Sequence, residues 1–180
     1  MANTTDIEIA VLGGGCFWCT ESVFTLLGGV VDVTPGYAGG RVASPSYERV
    51  CQGDTGHIEV SRVRFDPSIL SFETLLRVFF ATHDPTSLNR QGGDVGEQYA
   101  SAIFCQNDGQ LAVAKRVVAE VERDLGTAVV TRLLGADPFW PAESYHHDYY
   151  ARNPNQGYCR LVISPKVAKF RKRFSSLLAH

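Results

Sequence analysis

Three glycines followed by a cysteine and two large aromatics, Gly13-Gly14-Gly15-Cys16-Phe17-Trp18, constrain this 180-residue chain more than any other stretch. The residues before them, Ile7 to Leu12, read as a short apolar strand. The residues after them, Cys16 to Leu27, read as a helix. A strand that meets a helix across three glycines can turn sharply and leave its next side chain uncovered. Cys16 then sits against the free N–H groups of a helix N-terminus, which favour the thiolate over the thiol. Phe17 and Trp18 can wall a small apolar pocket beside the sulfur. The plainer alternative is a buried cysteine in a glycine-rich turn, acting as a small hydrophobe.

The remaining composition narrows the function classes. Seventeen Lys and Arg against nineteen Asp and Glu give a net charge of −2, which offers nucleic acid no electrostatic footprint. The start, Met1 to Asp6, has neither a basic region nor an apolar one, and no apolar stretch is long enough to span a membrane. A cytoplasmic location is expected. The five cysteines are Cys16, Cys19, Cys51, Cys105 and Cys159. An odd number without a secretory signal argues for catalytic or redox thiols rather than a disulfide framework.

The chain reads as one domain, 1–180, with no internal repeat. Further strands are expected at Val30–Tyr37, His57–Phe65, Tyr99–Cys105 and Ala128–Leu133. Gly28-Gly29 is read as the stop of the first helix. The apolar parity of His57–Phe65 shifts from Ile58 and Val60 to Val63 and Phe65, which suggests a bulge. Ser71 can cap a helix through Leu75, Leu76, Phe79 and Phe80, and two more helices are expected at Gly109–Leu125 and Lys166–Leu178. The cations of the last, Lys169, Arg171, Lys172 and Arg173, read as a solvated face. This order gives an α+β class: a two-layer sandwich of the split β-α-β (ferredoxin-like) kind. Its sheet is mostly antiparallel, with helices on one face. Two long loops, Ala38–Gly56 and His83–Gln98, are expected to be functional.

Several residues can cooperate with Cys16. Glu59 alternates with Ile58 and Val60 and so points to the opposite face. It is either solvent-facing or, in an aromatic pocket, a carboxyl raised by desolvation into general-acid range. Tyr47 and Tyr99 follow loops and can donate phenolic hydrogen bonds; each can equally be a rim aromatic. Asp94, between Gly93 and Val95, can order such a site or be a turn residue. Cys159 lies in Asn153-Pro154-Asn155-Gln156-Gly157-Tyr158-Cys159, whose composition signals a loop. A mobile thiol there suits a resolving cysteine, although an ordinary loop cysteine fits the same pattern.

Together these stretches resemble one family. They are Gly15-Cys16-Phe17-Trp18, Gly36-Tyr37-Ala38-Gly39-Gly40, the run from Tyr47 to Glu59, and His83-Asp84-Pro85-Thr86. They continue with Asn89-Arg90-Gln91-Gly92, Asp94-Val95-Gly96, Ala142-Glu143-Ser144-Tyr145-His146 and the segment ending at Cys159. In content and order the chain resembles the A-class peptide methionine sulfoxide reductases from about Val11 to Cys159. The resemblance implies Cys16 as nucleophile and Glu59 as the acid that protonates the sulfoxide oxygen. It implies Phe17 and Trp18 as the methyl site, and Tyr47, Asp94 and Tyr99 around the oxygen. Cys159 would be the resolving cysteine. It further implies action on the S epimer, thioredoxin as reductant, and no metal or organic cofactor. Glu97 and Ala100 depart from the family's pattern, where Thr and Arg are usual. No cysteine follows Cys159, so a simple Cys16–Cys159 relay is expected.

Two other readings compete. Cys16-x-x-Cys19 with His57-x-Glu59 has the look of zinc ligand pairs, but the order is the reverse of the zinc deaminase pattern and no proline precedes Cys16. A thioredoxin-like module would use Cys19, one helical turn from Cys16, as the resolving thiol. Whether Cys19 or Cys51 joins the relay stays open.

Overall fold

The structure, a computed structural model, describes residues 6–180; the reading of Met1–Asp6 rests almost wholly outside the described residues. The elements in chain order are β1 (Glu8–Gly14), α1 (Phe17–Phe24), β2 (Val30–Ala38), α2 (Tyr47–Cys51), β3 (Ile58–Phe65) and α3 (Phe72–Thr82). Then follow β4 (Arg90–Gln91), β5 (Asp94–Val95), β6 (Ser101–Cys105), α4 (Asp108–Leu125), β7 (Arg132–Gly135), β8 (Trp140–Pro141), α5 (Tyr149–Arg152) and α6 (Ser164–Arg173).

Six strands form one sheet in the order β7-β6-β1-β3-β2-β8. Every pairing is antiparallel except β6 with β7. The fold is thus mixed α+β around a mostly antiparallel sheet. β4 and β5 form a separate hairpin. Helices cover one sheet face: Val23 and Phe24 of α1, Leu75, Leu76 and Phe79 of α3, Ala114 and Val117 of α4, and Phe170 of α6 share one core with Leu12, Val63, Phe65 and Ile103. Each such large apolar side chain contributes roughly 1.5–3 kcal/mol by leaving water. The opposite face carries a smaller cluster, with Val11, Ile58, Val60, Ala102 and Phe104 under Leu134 and Phe139.

Local chemistry sets several boundaries. Ser71 caps α3 by accepting from Thr74 N, and Asn107 caps α4 by accepting from Gln110 N. Gly126, with φ 67°, ends α4 in the left-handed conformation.

The structure corrects five expectations. β3 has no bulge: its register against β1 is unbroken, and the irregularity lies in β2 between Val30 and Asp32. The parity shift has another cause. Glu59, Ser61, Val63 and Phe65 share the helix-covered face, and two of them are polar, while Ile58 and Val60 pack on the far face. The helix α1 ends at Phe24, with Thr25 as its cap, well before Gly28-Gly29. Inside the expected loop Ala38–Gly56 lies α2, too short for periodicity to reveal, capped by Ser46 accepting from Arg49 N. Tyr99 belongs to a 3₁₀ turn, Glu97–Tyr99, rather than to β6. Finally, β7 starts at Arg132 because its pairing with β6 aligns Ala102 with Arg132, a long-range choice that local sequence does not contain.

Candidate active site

Gly15 makes the turn from β1 into α1 with φ 89°, and a Cβ there would meet the Gln91 side chain at 2.6 Å. Both facts require glycine. Cys16 is then the residue before the first helical one, with φ −54° and ψ 125°, and its carbonyl accepts Cys19 N at 3.0 Å. Its side chain is half-buried.

Glu59 is 1% exposed. On β3 it stands directly opposite Tyr37 of β2, so both side chains point toward α1. Its Oε2 accepts the backbone N–H of Phe17 at 3.1 Å. The carboxyl therefore takes the first free donor of α1, one residue from Cys16. Burial is the main reason its pKa is pushed up, to about 8; the Phe17 bond opposes and Asp94 adds to the rise. At neutral pH Glu59 is largely uncharged and holds a proton.

The expectation of a thiolate favoured by the helix terminus needs correction. Burial pushes the Cys16 thiol well above its ordinary value, with Cys19 and Glu59 adding to it, and only the Trp18 N–H pulls it down. The Phe17 N–H, the first free donor of the helix, is occupied by Glu59. Cys19 moves the other way, to about 7, through its bond with Cys16, against burial and with help from Lys166 and Tyr158.

Phe17 sits on the aromatic side of the thiol. It is 1% exposed and packs with Tyr37, Val50 and Ala142, flanked by Trp18, Tyr47 and Trp140. Tyr47 lies at 6.5 Å from Phe17, ring centre to ring centre. Trp18 stacks on Tyr149 at 3.7 Å with planes 5° apart. Its indole N–H donates to His146 Nδ1 at 3.0 Å.

On its other side Cys16 opens into a cleft of about 470 Å³ lined also by Cys19, Gln91, Asp94, Tyr158 and Lys166. Asp94 lies in β5 and accepts from the Tyr158 hydroxyl at 2.7 Å, and the same hydroxyl is 3.6 Å from Cys19 Sγ. Tyr99 is half-buried. Burial raises the phenols of Tyr47 and Tyr99; for Tyr47 its bond with Cys51 and then Glu59 add to the rise, and for Tyr99 Glu59 comes next, so both remain donors.

Cys159 is not on a mobile loop. It opens a π-helical turn, Cys159–Ile163, that leads into α6, and it is fully buried with Cys19, Ile163 and Val167. Cys16, Trp18 and Tyr158 pack against that same cluster. All five cysteines are free. Cys51 is exposed on α2, and Cys105 belongs to the main core. The departures from the family pattern are accommodated simply: Glu97 pairs with Arg132 at 3.4 Å, and Ala100 is buried beside Ala102.

Sequence reasoning assigned no role to His146, Glu143, Tyr149 or Tyr158. Glu143 accepts from the Tyr37 hydroxyl, Tyr47 N and the Tyr145 hydroxyl, tying α2 to the aromatic side. Burial pushes its carboxyl up, but these bonds leave it below its ordinary value. His146 and Glu143 fall inside a stretch already picked out as a motif, which was the available signal. Among the described residues no cluster of three or more His, Cys, Asp or Glu could hold a metal ion, and no helix is long and apolar enough to cross a membrane.

The chain as a whole is similar to known proteins. The family model for peptide methionine sulfoxide reductase matches residues 8–178. The peptide methionine sulfoxide reductase MsrA of Chromobacterium violaceum is 55% identical over 96% of this chain and 99% of its own length. Among solved structures, Mxr1 from Saccharomyces cerevisiae in reduced form has a TM-score of 0.79 at 32% identity, over 88% of this chain and 92% of that one. Mxr1 in complex with Trx2 matches in fold, with a TM-score of 0.57 at 21% identity over 83% and 88% of the two chains.

Proposed function

The chain belongs to the peptide methionine sulfoxide reductase family, and on that premise we propose how its residues carry out the family's reaction. The protein reduces methionine sulfoxide to methionine, and we infer the S epimer, free or within proteins, as its substrate. The observation that carries the residue roles is the buried Glu59 carboxyl bonded one residue from the Cys16 thiol, with aromatic rings on one side and an open cleft on the other.

A sulfoxide sulfur becomes electrophilic as its oxygen gains a proton. Glu59 holds that proton, and while uncharged it sets no negative charge against the forming thiolate. Cys16 sulfur attacks the substrate sulfur as Glu59 protonates the oxygen, and the proton lost by the thiol restores Glu59. The new S–S bond breaks as the hydroxyl passes to Cys16. The oxygen ends on Cys16 as a sulfenic acid, and methionine leaves as the thioether, reduced by two electrons. Phe17 and Trp18 hold the methyl end, and Tyr47, Asp94 and Tyr99 hold the oxygen or a water beside it. The Cys159 thiol then attacks the sulfenic sulfur and releases water, leaving a Cys16–Cys159 disulfide. Thioredoxin returns the disulfide to two thiols by exchange.

We further infer one catalytic domain over 1–180, acting in the cytoplasm. The central strands β6, β1, β3 and β2 are read as the split β-α-β arrangement, since β3 lies antiparallel between β1 and β2, which α1 connects. Cys159 is buried in the cluster against which Cys16 packs, and its turn would shift to bring the two sulfurs together. π-Helical turns are frequent at functional sites, which suits such a segment. The test is turnover of each sulfoxide epimer with dithiothreitol: reduction of the S epimer alone supports this function, and equal use of the R epimer refutes the stereochemical assignment.

A further inference from the structure

We propose that His146 is a positioning residue for this reaction: its neutral imidazole, protonated on Nε2, fixes the Trp18 indole as a wall of the methyl site. This rests on the reading of Trp18 as that wall.

The Trp18 indole N–H donates to His146 Nδ1 at 3.0 Å. An indole nitrogen can only donate, so Nδ1 must present a bare lone pair and the ring proton must sit on Nε2. His146 is 1% exposed, and its Nε2 is buried without a hydrogen-bond partner. Buried donors are seldom left so. The tautomer therefore serves Trp18 rather than the histidine's own surroundings.

The two contacts of Trp18 do different work. Its flat stack on Tyr149 fixes the plane of the indole but is met equally by a ring flipped over about the Cβ–Cγ bond. The bond at the indole nitrogen selects one of the two orientations and so decides which edge of the ring faces Cys16.

The same bond fails when His146 is protonated, because Nδ1 then becomes a second donor facing a donor. The groups around His146 are Phe17 and Trp18 from α1, Tyr47 and Glu48 from α2, and Glu143, Tyr145 and His147 from its own segment. Burial lowers its pKa most; His147 adds to that, while Glu143 and Glu48 oppose it without cancelling it. The ring stays neutral through the neutral range and loses the bond only in acid.

The experiment uses the whole protein and two readouts. Trp140→Phe leaves one indole, so the Trp18 indole N–H resonance can be followed by NMR across pH. Kinetics for methyl and ethyl sulfoxides are compared in wild type, His146→Leu and His146→Asn. The expected result is an upfield move of the indole proton in His146→Leu and in acidified His146-containing protein. KM for the methyl substrate should rise roughly tenfold with kcat changed far less, and methyl-over-ethyl selectivity should fall. His146→Asn, whose side-chain oxygen can stand where Nδ1 stands, should restore most of each. The acid titration reads the bond even if His146→Leu does not fold. An indole proton indifferent to acid, or His146→Leu with unchanged KM and selectivity, overturns the proposal. Trp18→Phe separates the causes: if it also leaves selectivity unchanged, the assignment of Trp18 fails; if it lowers selectivity, the role of His146 alone fails.

Discussion

Glu59 Oε2 accepts the Phe17 backbone N–H at 3.1 Å, so a buried carboxyl from the middle of the sheet is locked to the first turn of the helix that begins beside Cys16. One bond thereby holds the proposed acid beside the residue that follows the proposed nucleophile.

The Glu59 carboxyl should govern both rate and pH dependence. Glu59→Gln keeps the Phe17 bond through its amide oxygen but has no proton to give, and should lose about two to four orders of magnitude in rate. If Glu59 is the acid, its pKa of about 8 means that its contribution in wild type is present below that pH and declines above it. The alkaline fall assigned to Glu59 should vanish in the Gln variant. A wild-type rate in Glu59→Gln excludes the role.

The same shift has a consequence for stability. A carboxyl raised from 4.5 to about 8 binds its proton more tightly in the folded chain than in the unfolded one. Its contribution to stability is fully present below about 4.5 and is lost as pH rises through about 8. Within that window the loss is on the order of 1.4 kcal/mol per pH unit. Urea unfolding should find Glu59→Gln gaining on wild type from acid to alkaline pH. A constant difference between the two contradicts the burial argument.

Much of this site is legible in the sequence because its signals are local. The glycine run and the aromatics after Cys16 imply a strand, a turn and a helix. Alternation along β3 separates Glu59 from Ile58 and Val60, and Ser71 announces α3. Non-local facts are hidden. Loop-forming residues around Cys159 say nothing of the core formed by Cys19, Ile163 and Val167. The Cys16 thiol depends on which group takes the Phe17 N–H, and that partner is 42 residues away. His146 reaches Trp18 across 128 residues, a link no spacing rule contains.

Gly15→Ala tests the turn itself. A left-handed φ of 89° costs a residue with a Cβ roughly 1–2 kcal/mol, and the added carbon meets Gln91 at 2.6 Å. Stability should fall by at least that amount in urea unfolding, with activity reduced as Gln91 shifts beside Cys16. An unchanged midpoint would falsify the strain argument.

Trp18→Ala removes a half-buried ring stacked on Tyr149. If the substrate methyl is fully enclosed, the lost contact is worth about 0.8 kcal/mol in binding, and preference for methyl over larger alkyl sulfoxides should weaken. Intact affinity and selectivity would make Trp18 a packing residue only.

Cys159→Ser should still produce methionine once per chain and then stall with thioredoxin, while small thiols that reach Cys16 directly sustain some turnover. In wild type, hydrogen exchange over 157–163 should rise on oxidation if the turn that buries Cys159 shifts to form the link. Full thioredoxin-driven turnover in Cys159→Ser, with a Cys16–Cys19 link, would transfer the resolving role to Cys19.

The most direct test is a single turnover without reductant. Reduced protein is mixed with excess methionine-S-sulfoxide, methionine is counted, and the cysteines are mapped by mass spectrometry. Wild type should yield one methionine per chain and a Cys16–Cys159 link, and Cys16→Ser should yield none. Methionine from Cys16→Ser, or a wild-type product in which Cys16 is still a free thiol, would contradict the assignment of Cys16 as the nucleophile.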